Sequence, residues 1–173
     1  MRFDVPANRE AYDADLQQFR KRVSAELEKF QNRVATHPSP KTDILGTLRL
    51  AGEEFSADTK QTSRTVIVLS DFIQDDGTLD FKSDPNLHDE ASAGAFAREL
   101  AKSESQPLRN VRIYLGGLRS SDLGNLDKNR RNAIREFWVQ YLTACGAQPS
   151  FQTDGPGMLR TLVQSSKIEN TEN

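Results

Sequence analysis

The stretch that most restricts the fold is Arg64-Thr-Val-Ile-Val-Leu-Ser-Asp71. Four large aliphatics, Val66 to Leu69, stand in a row between polar residues, and three of them are β-branched. The run is too short for a helix and apolar on both alternating faces, which predicts a strand covered by helices on both sides. It halts at Ser70-Asp71, and further acids follow at Asp75 and Asp76. In open parallel sheets, ligands gather at the carboxyl ends of the strands. A pair of small oxygen-bearing side chains at that edge suits a hard cation such as Mg²⁺. The same pair can equally well end the strand and cap a turn.

At 173 residues the chain fits one domain, placed at 1–164, followed by a polar tail over 165–173. The net charge is −2, and acids and bases are mixed along the sequence. No basic block interleaved with aromatics stands out, which argues against a nucleic-acid partner. The single cysteine, Cys145, excludes an internal disulfide and a cysteine-rich zinc site. Its place at the end of an apolar stripe marks it as a packing residue. No run reaches membrane-spanning length. Met1-Arg-Phe-Asp-Val-Pro6 lacks the apolar core of a signal peptide. The default compartment is therefore the cytoplasm, unless the reading frame begins upstream with an export signal.

Phe3-Asp-Val5 reads as the tail of a strand ended by Pro6. Leu16, Phe19, Val23, Leu27, Phe30 and Val34 then form one stripe along a helix of about seven turns. His37-Pro-Ser-Pro40 breaks it. A second helical pattern carries Ile44, Leu45, Leu48, Ala51 and Phe55, with Thr42 placed as its N-cap. Gly46 and Gly52 lie inside that helix and predict close approach of another backbone. Asp76-Gly77 signals a small hairpin above the strand edge. Ser83 to Asp89 is turn-rich, and Ala91 to Leu100 reads as a short helix anchored by Phe96 and Leu100.

Val111, Ile113 and Leu115 predict a second strand ending at Gly116-Gly117. A polar loop, Ser120 to Asn125, leads to the clearest helix, whose stripe is Ile134, Phe137, Trp138, Tyr141, Leu142 and Cys145, with Gly146 as C-cap. Ser150-Phe-Gln152 is a short edge strand, and a last helix runs from Met158 to Val163. Strands alternating with helices predict an α/β layered sheet, mostly parallel and Rossmann-like. The strands are too few for the helices, so an apolar sheet edge is left over, open to self-association.

Thr42-Asp-Ile-Leu-Gly-Thr-Leu48, followed by Val66-Ile-Val-Leu-Ser-Asp71, resembles the second half of a von Willebrand factor type A (VWA) domain. The resemblance runs from about Lys41 to Gly146. It implies a metal-ion-dependent adhesion site in which Thr42 ligates through its hydroxyl and Asp71 binds directly or through water. Phe72, Asp75 and Asp76 would rim that face. The family's Asp-x-Ser-x-Ser loop is absent from this chain, and Phe72 stands where the family usually has glycine. The resemblance therefore implies an N-terminally incomplete domain, its first strand lying before Met1, with weak or no Mg²⁺ binding.

Three functions follow. The first is a non-enzymatic interaction module whose protein partner offers an acidic side chain to complete the metal shell. The second is a metal-dependent hydrolase or phosphoryl-transfer enzyme using Asp71 with Asp75 or Asp76. It lacks a nucleophile elbow and a phosphate-cradling loop. The third is a metal-free scaffold of the same fold. His37 and His88 read as solvated loop residues.

Overall fold

The computed structural model describes residues 41–57, 64–103, 108–117 and 120–152, with scattered helical positions between 13 and 32. The chain divides into two compact units, Met1–Pro40 and Lys41–Asn173. The boundary falls at the proline-rich break. Phe3-Asp-Val5, most of the first helical stripe and the Met158–Val163 segment lie outside the described residues.

In the second unit, helix α1 (Ile44–Ala57) leads to β1 (Arg64–Ser70). A 3₁₀ turn at Pro85–Leu87 precedes α2 (Glu90–Ser103) and β2 (Val111–Gly117). The short α3 (Ser121–Asn125), the long α4 (Lys128–Ala144) and β3 (Gln148–Gln152) complete it. The three strands form one sheet in the order β1-β2-β3, and both pairings are parallel. The fold is an α/β layered sheet.

Register explains which residues reach the core. Val66 pairs with Ile113, and Val68 pairs with Leu115 and, through it, Phe151. Paired residues of neighbouring strands share a face, and this face meets the core. α2 and α4 pack side by side, bringing Ala93, Ala97, Ile134, Phe137, Trp138 and Tyr141 into the same cluster as Val111, Ile113 and Leu115. α1 adds Ile44, Leu45 and Leu48. Phe137 stacks on Tyr141 and meets Phe81 edge-on, with ring centroids 5.7 and 4.7 Å apart. Cys145 is buried at the end of this helix, a packing residue as its stripe position implied. Gly146, at φ 81°, ends the helix. Its N–H donates to Thr143 and that of Ala147 to Leu142, the left-handed stop its sequence position predicts.

Four expectations need correction. β1 is not covered on both sides. Among the described residues it lies at the sheet edge, with Ile67 41% and Leu69 39% exposed, and β2 is the central strand. An aliphatic run records what a strand can bury, while its neighbours decide what it does bury. The cap of α1 is Asp43 rather than Thr42, for its carboxylate accepts the Gly46 N–H at 2.7 Å. Gly46 answers to that same carboxylate and not to a second backbone, because a Cβ there would lie 2.1 Å from Asp43 Oδ2. Finally, residues 121–125 of the expected polar loop are helical, capped by Ser120, whose hydroxyl accepts the Leu123 N–H at 3.0 Å.

Candidate functional site

The carboxyl end of β1 is built from short-range polar bonds. Ser70 Oγ accepts the Phe72 N–H at 3.0 Å, and Asp71 Oδ1 accepts the Ile73 N–H at 3.1 Å. Two successive side-chain turns of this kind reverse the chain as it leaves the sheet. Between them Phe72 takes φ 64°, a left-handed conformation that bulky residues rarely adopt. Its carbonyl accepts the buried Trp138 Nε1–H at 2.9 Å, and its ring meets Phe151 of β3 edge-on at 5.4 Å. Phe72 is only 5% exposed, so its ring faces the core and does not rim the upper face as the resemblance implied. The backbone reversal that turns the chain is also what turns this ring inward.

The next residues join this end of the sheet to the start of α1. Thr42 and Asp75 exchange backbone hydrogen bonds, N–H to O, at 2.7 and 2.8 Å. Gln74, with no exposed surface, stands between the two segments. Its Oε1 accepts the N–H groups of Ile44 at 2.8 Å and Leu45 at 3.2 Å. These are free donors at the start of a helix, which otherwise need a cap or water. Its Nε2 donates to Asp43 Oδ1 at 3.3 Å and Asp76 Oδ2 at 3.2 Å. Sequence reasoning missed Gln74. A lone glutamine between Ile73 and Asp75 carries no periodic or motif signal.

The hairpin signalled by Asp76-Gly77 is present, closed by an Asp75–Asp80 bridge with Gly77 at φ 88°. Asp76 Oδ1 accepts the N–H groups of Thr78 at 2.7 Å and Leu79 at 2.8 Å. Asp75 Oδ1 accepts that of Gly77 at 3.3 Å. The Leu79 and Thr78 amides hold the Asp76 carboxyl below its usual range. His88 lies exposed in its turn, 2.9 Å from Asp89.

Thr42, Asp71, Asp75 and Asp76 therefore belong to one knitted end of the sheet. Thr42 is bonded to Asp75, and Asp71 lies four positions upstream of that contact. The carboxylates of Asp71, Asp75 and Asp76 each accept at least one turn amide. Among the described residues no group of three or more His, Cys, Asp or Glu side chains is arranged to hold a metal ion. Thr42 and Asp71 alone do not meet the near-octahedral demand of Mg²⁺. Comparison with family models, curated proteins and solved structures finds no match to this chain. Among the described residues no helix is long and apolar enough to cross a membrane.

Proposed function

We propose that this chain is a non-enzymatic protein-interaction module of the VWA-like kind, with its partner-binding surface at the carboxyl end of β1. The observation that carries the reading is the Thr42–Asp75 backbone pair, which ties two segments some thirty residues apart into one rim. The left-handed Phe72 supports it further, since that position follows the strand-end aspartate and is where the resembled family usually carries glycine. Here Thr42 presents its exposed side chain, and Asp71, Asp75 and Asp76 present partly exposed carboxylates around a preorganised loop. Preorganisation lowers the entropy that a partner must overcome on docking. A Mg²⁺ ion held by Thr42 and Asp71 would keep most of its water and bind weakly.

Two measurements test this. A Mg²⁺ titration followed by thermal unfolding should shift Tm by only about 1–2 °C when the ion reaches its Kd, since occupancy of one site then adds about 0.4 kcal/mol. Asp71→Ala should remove that shift. Capture of a protein partner should be lost in the Thr42→Ala/Asp71→Ala variant while folding is kept. Phosphatase or esterase activity that depends on Asp71 would instead establish an enzyme and end this reading.

A further inference from the structure

The long helix α4 begins Lys128-Asn-Arg-Arg-Asn-Ala-Ile-Arg135, and no acid lies between Asp127 and Glu136. At 100° per residue, Lys128, Arg131, Asn132 and Arg135 fall on one strip of the helix. All four are exposed. The helix places three of the segment's four cations on this one strip.

Three observations set it apart from an ordinary solvated face. First, two of its three cations stand at the wrong end of the helix. Asp127 is the N-cap and the first turn contains no acid, so Lys128 and Arg131 sit at the positive end of the macrodipole. Helix stability favours acids there. Second, the carboxylates that flank the strip in sequence are engaged elsewhere. Asp127 accepts the Arg130 N–H at 2.8 Å, Asp122 pairs with Lys82 at 3.3 Å, and Glu136 accepts Gln140 Nε2–H at 2.8 Å. None of the ion pairs found among the described residues involves Lys128, Arg131 or Arg135. Third, two of the guanidinium groups are positioned without being neutralised. Arg131 donates to the Leu126 carbonyl, and Arg135 lies over the Phe151 ring, 5.2 Å from its centroid.

We propose that the first two turns of α4 are a docking strip for a short acidic segment of a partner protein. From Lys128 to Arg135 the strip is about 10 Å long, the span of roughly three residues of extended chain. Asp122, Asp127 and Glu136 lie close to it in sequence. A short run of glutamates or aspartates fits between these acids, whereas a nucleic acid continuing past the strip would meet them. Charge complementarity fixes the class of partner, and the strip uses none of the residues of the β1 rim.

Fluorescence anisotropy of labelled hexaglutamate with the full chain tests the proposal, in EDTA so that no metal-dependent contact contributes. The expected result is saturable binding that weakens with added salt and falls at least about tenfold in Lys128→Glu/Arg131→Glu. The same double variant should have a Tm equal to or above that of the parent, because acids now meet the helix N-terminus. Lost binding without lost stability separates a docking role from a structural one. Absence of saturable binding, or equal binding by the double variant, overturns the proposal. So does tighter binding of a ten-residue oligothymidylate than of hexaglutamate, which would make the strip a nucleic-acid surface.

Discussion

Gln74 and Phe72 show how two buried residues hold the end of the sheet together. Gln74 makes four hydrogen bonds from a fully buried position, two to amides of α1 and two to the carboxylates of Asp43 and Asp76. A buried amide satisfied on both sides costs little, whereas its loss would strand helix donors at about 1–3 kcal/mol for each group left unpaired. Phe72 combines an unfavourable backbone with a favourable ring. Its left-handed φ opposes the fold, while its contact with Phe151 and the bond from Trp138 support it. The two parts can be separated by substitution. Both Phe72→Ala and Phe72→Gly lose the ring and should destabilise by about 3–5 kcal/mol. Glycine tolerates the positive φ, so Phe72→Gly should be the more stable of the pair by about 1 kcal/mol. Urea midpoints for the two variants decide it, and alanine equalling or exceeding glycine would show that the backbone is not strained.

At the scale of elements, the hairpin after β1 depends on ionised side chains. Asp76 accepts two turn amides and Asp80 accepts the Lys82 N–H at 2.9 Å. Amide donation from Leu79, then Thr78, lowers the Asp76 pKa from its ordinary 3.8 in the folded chain. A depressed carboxylate stabilises the fold fully above its unfolded value, and that stability is lost as pH falls through the folded value. The acid limb below pH 3.8 should therefore carry an Asp76 contribution. Asp76→Asn keeps an oxygen acceptor but no charge. It should be less stable than the parent at neutral pH, with a shallower loss of stability between about pH 5 and about pH 2. Trp138, the only tryptophan, is buried and bonded to the Phe72 carbonyl, so its fluorescence follows this end of the molecule. Parallel acid limbs for variant and parent would remove Asp76 from the account.

At the scale of the whole unit, the sheet is asymmetric. One face carries Val66, Val68, Val111, Ile113 and Leu115 into the core, while Thr65, Ile67 and Leu69 of β1 stay exposed on the other. Among the described residues no strand pairs with the outer edge of β1. An apolar edge of this kind is a template for pairing with another chain. Sedimentation velocity should show association that grows with concentration toward about 100 µM. Ile67→Lys should suppress it while leaving Trp138 fluorescence unchanged. A monomer throughout that range would mean that this edge does not recruit a second strand.

Local patterns were legible wherever one residue type has one physical use. The aliphatic run of β1, the alternation of β2, the Trp138 stripe, the Asp76-Gly77 turn and the Gly146 stop follow from side-chain shape, burial and backbone freedom, which act over a few residues. The layered α/β class follows from their order. What the linear chain could not carry was decided by neighbours distant in sequence. The edge position of β1 depends on which strands pair, and the inward turn of Phe72 on Trp138 and Phe151 waiting behind it. Gln74 acquires its role only when α1 brings two unpaired amides beside it. Hydrogen-bond partners and burial are properties of the assembled core, so tertiary structure alone could assign them.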